Sequence, residues 1–532
     1  MTSVAEATYA VWRRLGLTTM FANPGSTEIP LLCGPGDRGR FILALHEGSV
    51  VGAATGYALA SGRPALCLLH TTPGLGNAVA ALATARENRA PLVVVVGQQD
   101  RRHLALRPFL AGDLEGLAGR YPVWSSTPAL ARDVPAALER AHLEARTKRG
   151  PAIVVVPMDD WDAEAEEGPS AVAAEVRSAA GVDEGALGDL VALVDGARSP
   201  ALVAGVDADS PECWAALVDL AEHLGCPVFQ EAFASRAGFP QDHPSFAGHL
   251  PAGRARLRDV LAPHDLVLVA GAAAFRQYPY EPGPLVRPGT RVALLVSDPE
   301  LAAHSAADLA VVAPLALLCD ALRAQTAKRP PLATEGRHLP DEPLVPGGAI
   351  RPRPLFSALR QRLSPDAVVV EECPSARPDL QRLVPTRRPL GFLSAAMGGL
   401  GFALPAAVGV RLALPERPVV AVLGDGSSLY GVQALWTAAH YGVGLLVIVL
   451  HNGRYGVMDR LAERRGQGAG PWPAFDEVSV ATLAKGLGCP SRRVGDPDEL
   501  ISVLDEVLPG LGTRREPLLV EVDVADDAGF DP

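Results

Sequence analysis

The chain has 532 residues, of which 48% are hydrophobic and 20% charged, enough for several buried cores and three domains of ordinary size. Sixty acidic residues against 48 basic ones leave a net charge of −12, which argues against nucleic acid or an anionic membrane surface as partner, since both select a basic face. Seven cysteines with no CxxC pair indicate neither a disulfide framework nor a zinc site, and scattered core thiols are the simpler reading.

The first residues, Met1-Thr2-Ser3-Val4-Ala5-Glu6, lack the basic and apolar regions of a leader, and no apolar run approaches the ~20 residues of a membrane span. A cytoplasmic protein acting on small molecules is expected. Two linker-like segments divide the chain. Asp162 to Ser178 is acidic and poor in apolar residues, and Lys328 to Pro352 carries six prolines. The resulting domains are 1–165, 180–330 and 350–532.

In the first domain, Phe21-Ala22-Asn23-Pro24-Gly25-Ser26-Thr27-Glu28 reads as a turn between strand and helix, with Ser26 or Thr27 placed to cap. The run Gly34-Pro35-Gly36-Asp37-Arg38-Gly39 matches GxGxxG, but it contains a proline and runs into an apparent strand from Phe41 to Leu45, so a surface loop is expected rather than a dinucleotide site. Glu47 stands before an Ala/Gly-rich helix, Ser49 to Ala60; on residue type alone it is a cap or dipole partner. Ala65 to Leu69 reads as a strand that ends at His70, before a helix expected from about Asn77. Ser26, Glu47 and His70 thus occupy three strand ends on one edge, where α/β sheets place ligands. Strands are also expected at Leu92 to Val96 and Ile153 to Val156.

The middle domain repeats the alternation, with strands at Ala201 to Ala204, Leu266 to Ala270 and Val292 to Val296, and without a glycine-rich phosphate loop. The last domain does so again, at Ala367 to Val370, Val419 to Leu423, Leu445 to Leu450 and Leu518 to Val522. The fold class is therefore α/β, three doubly wound parallel sheets.

The third domain carries the most specific signal. Val419 to Leu423 ends abruptly in Gly424-Asp425-Gly426-Ser427-Ser428, a helix is expected from Tyr430 to Tyr441, and Leu445 to Leu450 leads to Asn452-Gly453. Asp425 and Asn452 each follow a strand, so they can be neighbours. A carboxylate and a neutral oxygen suit a hard cation, while glycines and helix-start N–H groups suit a phosphate. A glycine turn with an Asp cap is the plainer alternative for GDG alone.

GDG, then 25 residues (427–451), then Asn resembles the diphosphate motif of thiamine diphosphate (ThDP) enzymes, with His451 in place of the first Asn of the usual pair. FANPGSTEIP, LHEGSVVGAATGYA, LLHTTPGLGNAVAAL, PLVVVVGQQ, FRQYPYEPG, AAMGGLGFALPAAVGV and GDGSSLYGVQALWTAAHYG extend the likeness over essentially the whole chain to the benzoylformate decarboxylase family. The resemblance implies ThDP held through Mg2+ or Ca2+ by Asp425, Asn452 and the main-chain carbonyl of Arg454. Gly424, Gly426, Ser427 and Tyr455 join the cofactor site, Leu400 props the cofactor and the Gly398 carbonyl faces its amino group. Close helix packing is the alternative for that glycine run.

It further implies that Glu47 bonds N1′ of the aminopyrimidine, Ser26 binds a substrate carboxylate and His70 exchanges protons. The family's second histidine falls on Tyr278. Pro374, Val457 and Leu461 replace a threonine, an alanine and a phenylalanine of the family pocket. The implied reaction is non-oxidative decarboxylation of a 2-oxo acid to an aldehyde by a homodimer or homotetramer with sites between subunits. The benzoylformate-like branch does not use the FAD that some relatives hold. The alternatives are a ThDP carboligase acting on aldehydes and a catalytically weak ThDP-binding protein.

Overall fold

The computed structural model describes residues 2–34, 39–165, 181–332, 339–466, 468 and 470–525. Most of the GxGxxG-like run (35–38), 166–178 of the first linker and 333–338 of the second lie outside the described residues.

Each of three sheets holds six parallel strands. The first is built from β1 (Thr19–Asn23), β2 (Arg40–Leu43), β3 (Ala65–Leu69), β4 (Leu92–Gln98), β5 (Trp124–Ser126) and β6 (Pro151–Pro157), ordered β2-β1-β3-β4-β6-β5. The second holds β7 (Pro200–Ala204), β8 (Val228–Gln230), β9 (Phe246–His249), β10 (Leu266–Ala270), β11 (Arg291–Val296) and β12 (Leu309–Val312), ordered β12-β11-β10-β7-β8-β9. The third holds β13 (Val368–Glu372), β14 (Phe392–Ser394), β15 (Val419–Gly424), β16 (Leu446–His451), β17 (Ser491–Val494) and β18 (Leu518–Asp523), ordered β14-β13-β15-β16-β18-β17. The first and third sheets therefore share one strand order, and each presents the C-terminal ends of its first four strands along one edge.

These strands form because both faces of every sheet are covered. Val93 and Val95 of β4 enter one core while Val94 and Val96 enter the other, the period-two alternation of a strand buried on both sides. Each such side chain contributes about 1.5–3 kcal/mol by leaving water. Continuous apolar runs were therefore a sound guide to the strands.

Helix boundaries moved more. The helix expected from Asn77 begins at Thr71, and that expected over Tyr430 to Tyr441 is shortened to Ala434–His440. Pro73, Gly74 and Gly76 argue locally against an early start, but Gly74 and Leu75 are buried and packing overrides propensity. Ser26 and Thr27 lie inside a short 3-10 turn, Ser26–Glu28, instead of capping a helix.

Helix Glu47–Ser61 packs against helix Ala403–Ala413 at backbone contact: a Cβ on Gly56 would lie 2.1 Å from the Ala406 carbonyl oxygen, and one on Gly409 would lie 1.8 Å from that of Ala53. This is why both helices are rich in alanine and glycine. They join the first and third sheets. Arg89 ties the first sheet to the second by ion pairs with Asp207 and Asp298, which follow β7 and β11. The Leu390 N–H donates to Asp209 and so links the second to the third.

Candidate active site

The C-terminal ends of β13, β15 and β16 open into a cavity of about 590 Å³. Gly398, Leu400, Gly424, Asp425, Gly426, Ser427, Asn452, Arg454 and Tyr455, all expected at the cofactor, line it together. Pro374 and Val457 do so as well, whereas Leu461 sits half-buried on helix Gly456–Arg464 outside the lining.

Asp425 is 3% exposed. Its Oδ1 accepts the Gly426 N–H at 2.7 Å, and its Oδ2 accepts those of Asn452 (2.9 Å) and Gly453 (2.7 Å), so the carboxylate ties the end of β15 to the end of β16. The substituted His451 is buried beside it, with Nδ1 at 3.2 Å from Asp425 Oδ2 and 3.7 Å from Glu521 Oε1. Glycine at 426 lets the Tyr455 ring lie against the turn, since a Cβ there would come within 2.7 Å of that ring and displace it. Ser427 and Ser428 turn their hydroxyls inward onto carbonyls of Glu372, Gly424 and Asp425. The main chain of the turn is thus left to face the cavity.

A second group lies on the first sheet, and the cavity lining includes none of Ser26, Glu47, His70 or Tyr278. Glu47 is buried after β2, its Oε1 accepting from Asn23 Nδ2 at 3.1 Å and its Oε2 from Asn77 Nδ2 at 3.0 Å. His70, after β3, has Nδ1 at 3.0 Å from both Thr27 Oγ1 and Glu28 Oε2. A carboxylate at Nδ1 favours the tautomer with its proton there and leaves the lone pair on Nε2. Ser26 is exposed on the adjacent turn. Because β2, β1 and β3 are neighbours in that order, the three strand ends form one continuous surface.

Tyr278 does not join this group. It is 60% exposed on the middle domain, with its N–H bonded to the Ala252 carbonyl. The same segment instead sends Arg276 to Glu231 (2.9 Å) and to the Ala396 carbonyl (3.2 Å), next to the Gly398 loop.

Four polar residues lay unassigned in the sequence: Asn23, Asn77, Glu28 and Glu372. Asn23 and Glu28 lie in the run Phe21 to Pro30 at the end of β1, where polar residues are themselves a usable signal. Glu372 had none beyond closing an apolar strand.

The residues fit a diphosphate and a hard cation. The cavity brings together the carboxylate of Asp425 and the amide side chain of Asn452, with Arg454 also in its lining, beside a turn whose Gly426 leaves space that a Cβ would fill. Among the described residues no cluster of three or more His, Cys, Asp or Glu suits a metal ion.

Comparisons agree with this geometry. Models of the thiamine pyrophosphate (ThDP) enzymes match in three parts: the N-terminal TPP binding domain over residues 2–117, the central domain over 187–322 and the C-terminal TPP binding domain over 375–522. A benzoylformate decarboxylase of Pseudomonas aeruginosa is 38% identical over 527 residues, spanning 98% of this chain and 99% of that one. Among solved structures, a thiamine diphosphate-dependent 4-hydroxybenzoylformate decarboxylase of Rhodococcus jostii RHA1 matches with a TM-score of 0.93 at 37% identity, covering 99% of this chain and 100% of the other. The benzoylformate decarboxylase of Polynucleobacter necessarius matches with a TM-score of 0.94 at 31% identity, with both chains covered in full (100%). With the same three domains, near-complete coverage and the strand-end arrangement described above, this chain belongs to the ThDP-dependent enzymes, in the benzoylformate decarboxylase family.

Proposed function

We propose that this protein decarboxylates an aryl 2-oxo acid of the benzoylformate class to the aldehyde and CO2, using ThDP and a divalent cation, Mg2+ or Ca2+. The observation that carries the reading is the cavity at the ends of β13, β15 and β16, lined by Asp425, Asn452, Gly426 and Leu400 in a chain 38% identical to a benzoylformate decarboxylase. Residues 1–165 act as the pyrimidine-binding domain, 180–330 as the central domain and 350–532 as the diphosphate-binding domain.

When bound, ThDP supplies a carbon nucleophile for the ketone and a sink for the electron pair left as CO2 departs. Asp425, Asn452 and the Arg454 carbonyl would hold the cation, and the Gly424–Ser427 turn would hold the diphosphate. Gly398 and Leu400 would orient the cofactor's rings, beside the Tyr455 ring that lies against Gly426. Glu47 moves a proton at the aminopyrimidine, with Asn23 and Asn77 fixing its two oxygens. Ser26 binds the substrate carboxylate, and His70, steadied by Glu28, transfers the proton that makes the aldehyde.

The two groups of residues lie on separate surfaces of one chain, which supports a homodimer or homotetramer with each site completed by a second copy. Pro374, Val457 and Met458 give the wall an apolar character suited to an aryl ring. No helix among the described residues is long and apolar enough to cross a membrane, and we assign the enzyme a cytoplasmic setting, which its seven free thiols fit.

Purified protein with ThDP and Mg2+ is expected to release CO2 from benzoylformate or 4-hydroxybenzoylformate. No release across a panel of aryl and alkyl 2-oxo acids contradicts the proposal. The exposed Tyr278 at the position of the family's second histidine favours one second reading, a carboligase; product from paired aldehydes without CO2 release from any 2-oxo acid would establish it.

A further inference from the structure

Glu372 closes β13 and is 2% exposed, yet its carboxylate is fully engaged. Oε1 accepts the Gly401 N–H at 2.7 Å, and Oε2 accepts those of Phe402 (2.8 Å) and Ala403 (2.7 Å). These donors open helix Ala403–Ala413, where first-turn N–H groups have no partner within the helix and an anion is favoured. The main-chain carbonyl of the same residue accepts Ser427 Oγ at 2.5 Å. One residue thereby touches both the loop that carries Gly398 and Leu400 and the turn that carries Asp425.

Its neighbour works on the opposite face, as strand alternation requires. Glu371 pairs with Arg377 at 2.7 Å and accepts the Cys373 N–H at 2.7 Å, which pins the segment of Cys373, Pro374 and Ser375 along the cavity.

The Gly398 loop has little packing of its own. A Cβ on Gly398 would meet nothing within 4 Å, and Leu400 is 37% exposed. The loop is held instead at its ends, by Arg276 on the Ala396 carbonyl and by Glu372 on Gly401. A surface cap would satisfy a helix start at far lower cost than a buried carboxylate. Burial here outweighs the three N–H donors and pushes Glu372 up to about 7.

We infer that Glu372 is a positioning residue of the cofactor site: by tethering Gly401, Phe402 and Ala403 to the end of β13 it sets where Leu400 and the Gly398 carbonyl stand relative to the Gly424–Ser427 turn. The inference rests on the reading of this cavity as the ThDP site. It names no substrate, and its tether can be tested without turnover.

The test uses the full-length enzyme and the isosteric E372Q, which replaces one acceptor oxygen by an NH2 that only donates, facing N–H groups that also donate. Hydrogen exchange at Gly401, Phe402 and Ala403 should rise about tenfold, with Val408 and Val410 in the same helix unchanged, and affinity for ThDP, titrated by calorimetry with Mg2+, should fall about tenfold. E372D should be intermediate in both. If E372Q does not fold, Gly401→Ala moves the same loop with Glu372 intact, since Gly401 has φ +90° and its Cβ would meet Tyr430 Cβ at 3.0 Å; it should lower ThDP affinity similarly. Exchange and affinity within twofold of the unaltered enzyme in either variant overturn the inference, as does faster exchange spread evenly over the third sheet with unchanged affinity. Failure of the unaltered enzyme to bind ThDP would instead remove the functional reading, while amide exchange would still report on the tether.

Discussion

Replacing Glu28 by glutamine isolates what the carboxylate beside His70 does. Glu28 is 1% exposed, and its Oε2 serves both the Gly25 N–H at 2.7 Å and His70 Nδ1 at 3.0 Å, while Oε1 meets the Thr27 hydroxyl. Gly97 of β4 closes the space behind it, since a Cβ there would come within 1.7 Å of Oε1. A glutamine of the same shape can keep its oxygen on Gly25 and His70 and give its NH2 to the Thr27 oxygen, so the contacts survive and the charge does not. Two charge-assisted hydrogen bonds then become neutral ones, a loss of about 1 kcal/mol each, or about 2 kcal/mol together. Only the bond to His70 changes when the ring carries its second proton, the Gly25 bond being weakened equally in both states, so about 1 kcal/mol reaches the barrier and kcat should fall roughly fivefold. KM and ThDP affinity should stay within about twofold, because Glu28 touches neither the Asp425 cavity nor Ser26. Steady-state aldehyde formation with benzoylformate measures this. An unchanged kcat, or a change in KM alone, would refute the role given to the Glu28–His70 pair.

Asp425→Asn leaves one acceptor oxygen for three backbone N–H groups and removes the negative charge offered to the cation; Mg2+-dependent ThDP binding should weaken by at least about tenfold, and calorimetry showing normal binding would remove Asp425 from the metal site. Glu372 sits above the ordinary carboxylate range, so its contribution to stability is fully present below about pH 4.5 and is lost as pH rises through about 7. The stability of the unaltered protein relative to E372Q should therefore decline across that window by about 3 kcal/mol at most, and a difference independent of pH would contradict the direction assigned. Gly188→Ala, in helix Glu184–Gly196 with open space around the new methyl, should raise stability by about 0.5–1 kcal/mol, whereas Gly409→Ala should lower it by about 1–3 kcal/mol through collision with the Ala53 carbonyl; thermal melts that rank them the other way would refute the close helix contact.

The strands and the third-domain motif were legible because their signals are local. Runs such as Leu92 to Val96 need no knowledge of their neighbours to read as strands buried on both faces, and Gly424-Asp425-Gly426 followed by Asn452 places two oxygen-bearing side chains on adjacent strand ends through spacing alone. Helix starts were less legible. Thr71, Pro73 and Gly74 become helical because the turn is packed against the end of β3, where a Cβ on Gly74 would lie 3.3 Å from the Leu69 carbonyl carbon, a tertiary cause that propensity does not carry. The polar supports were hidden for a similar reason. Asn23, Asn77 and Glu28 act on Glu47 and His70 from other strands and helices, and the N–H groups that Glu372 holds lie 29 to 31 residues along the chain. Arg276 shows the same: its bonds to Glu231 and the Ala396 carbonyl join residues 45 and 120 positions away along the chain, which no local pattern reveals.

A mixture of two inactive chains tests the account most directly. E47Q retains the Asp425 cavity and Asp425→Asn retains the Glu47 surface, so random pairing of equal amounts should rebuild about a quarter of the sites if each is shared between copies. With Mg2+, benzoylformate and ThDP held well below the Kd of the Asp425→Asn chain, the mixture should release CO2 at about a quarter of the rate of the unaltered enzyme, while each variant alone releases almost none. An inactive mixture beside an active unaltered enzyme would contradict the shared site, and an unaltered enzyme that releases no CO2 would contradict the decarboxylase itself.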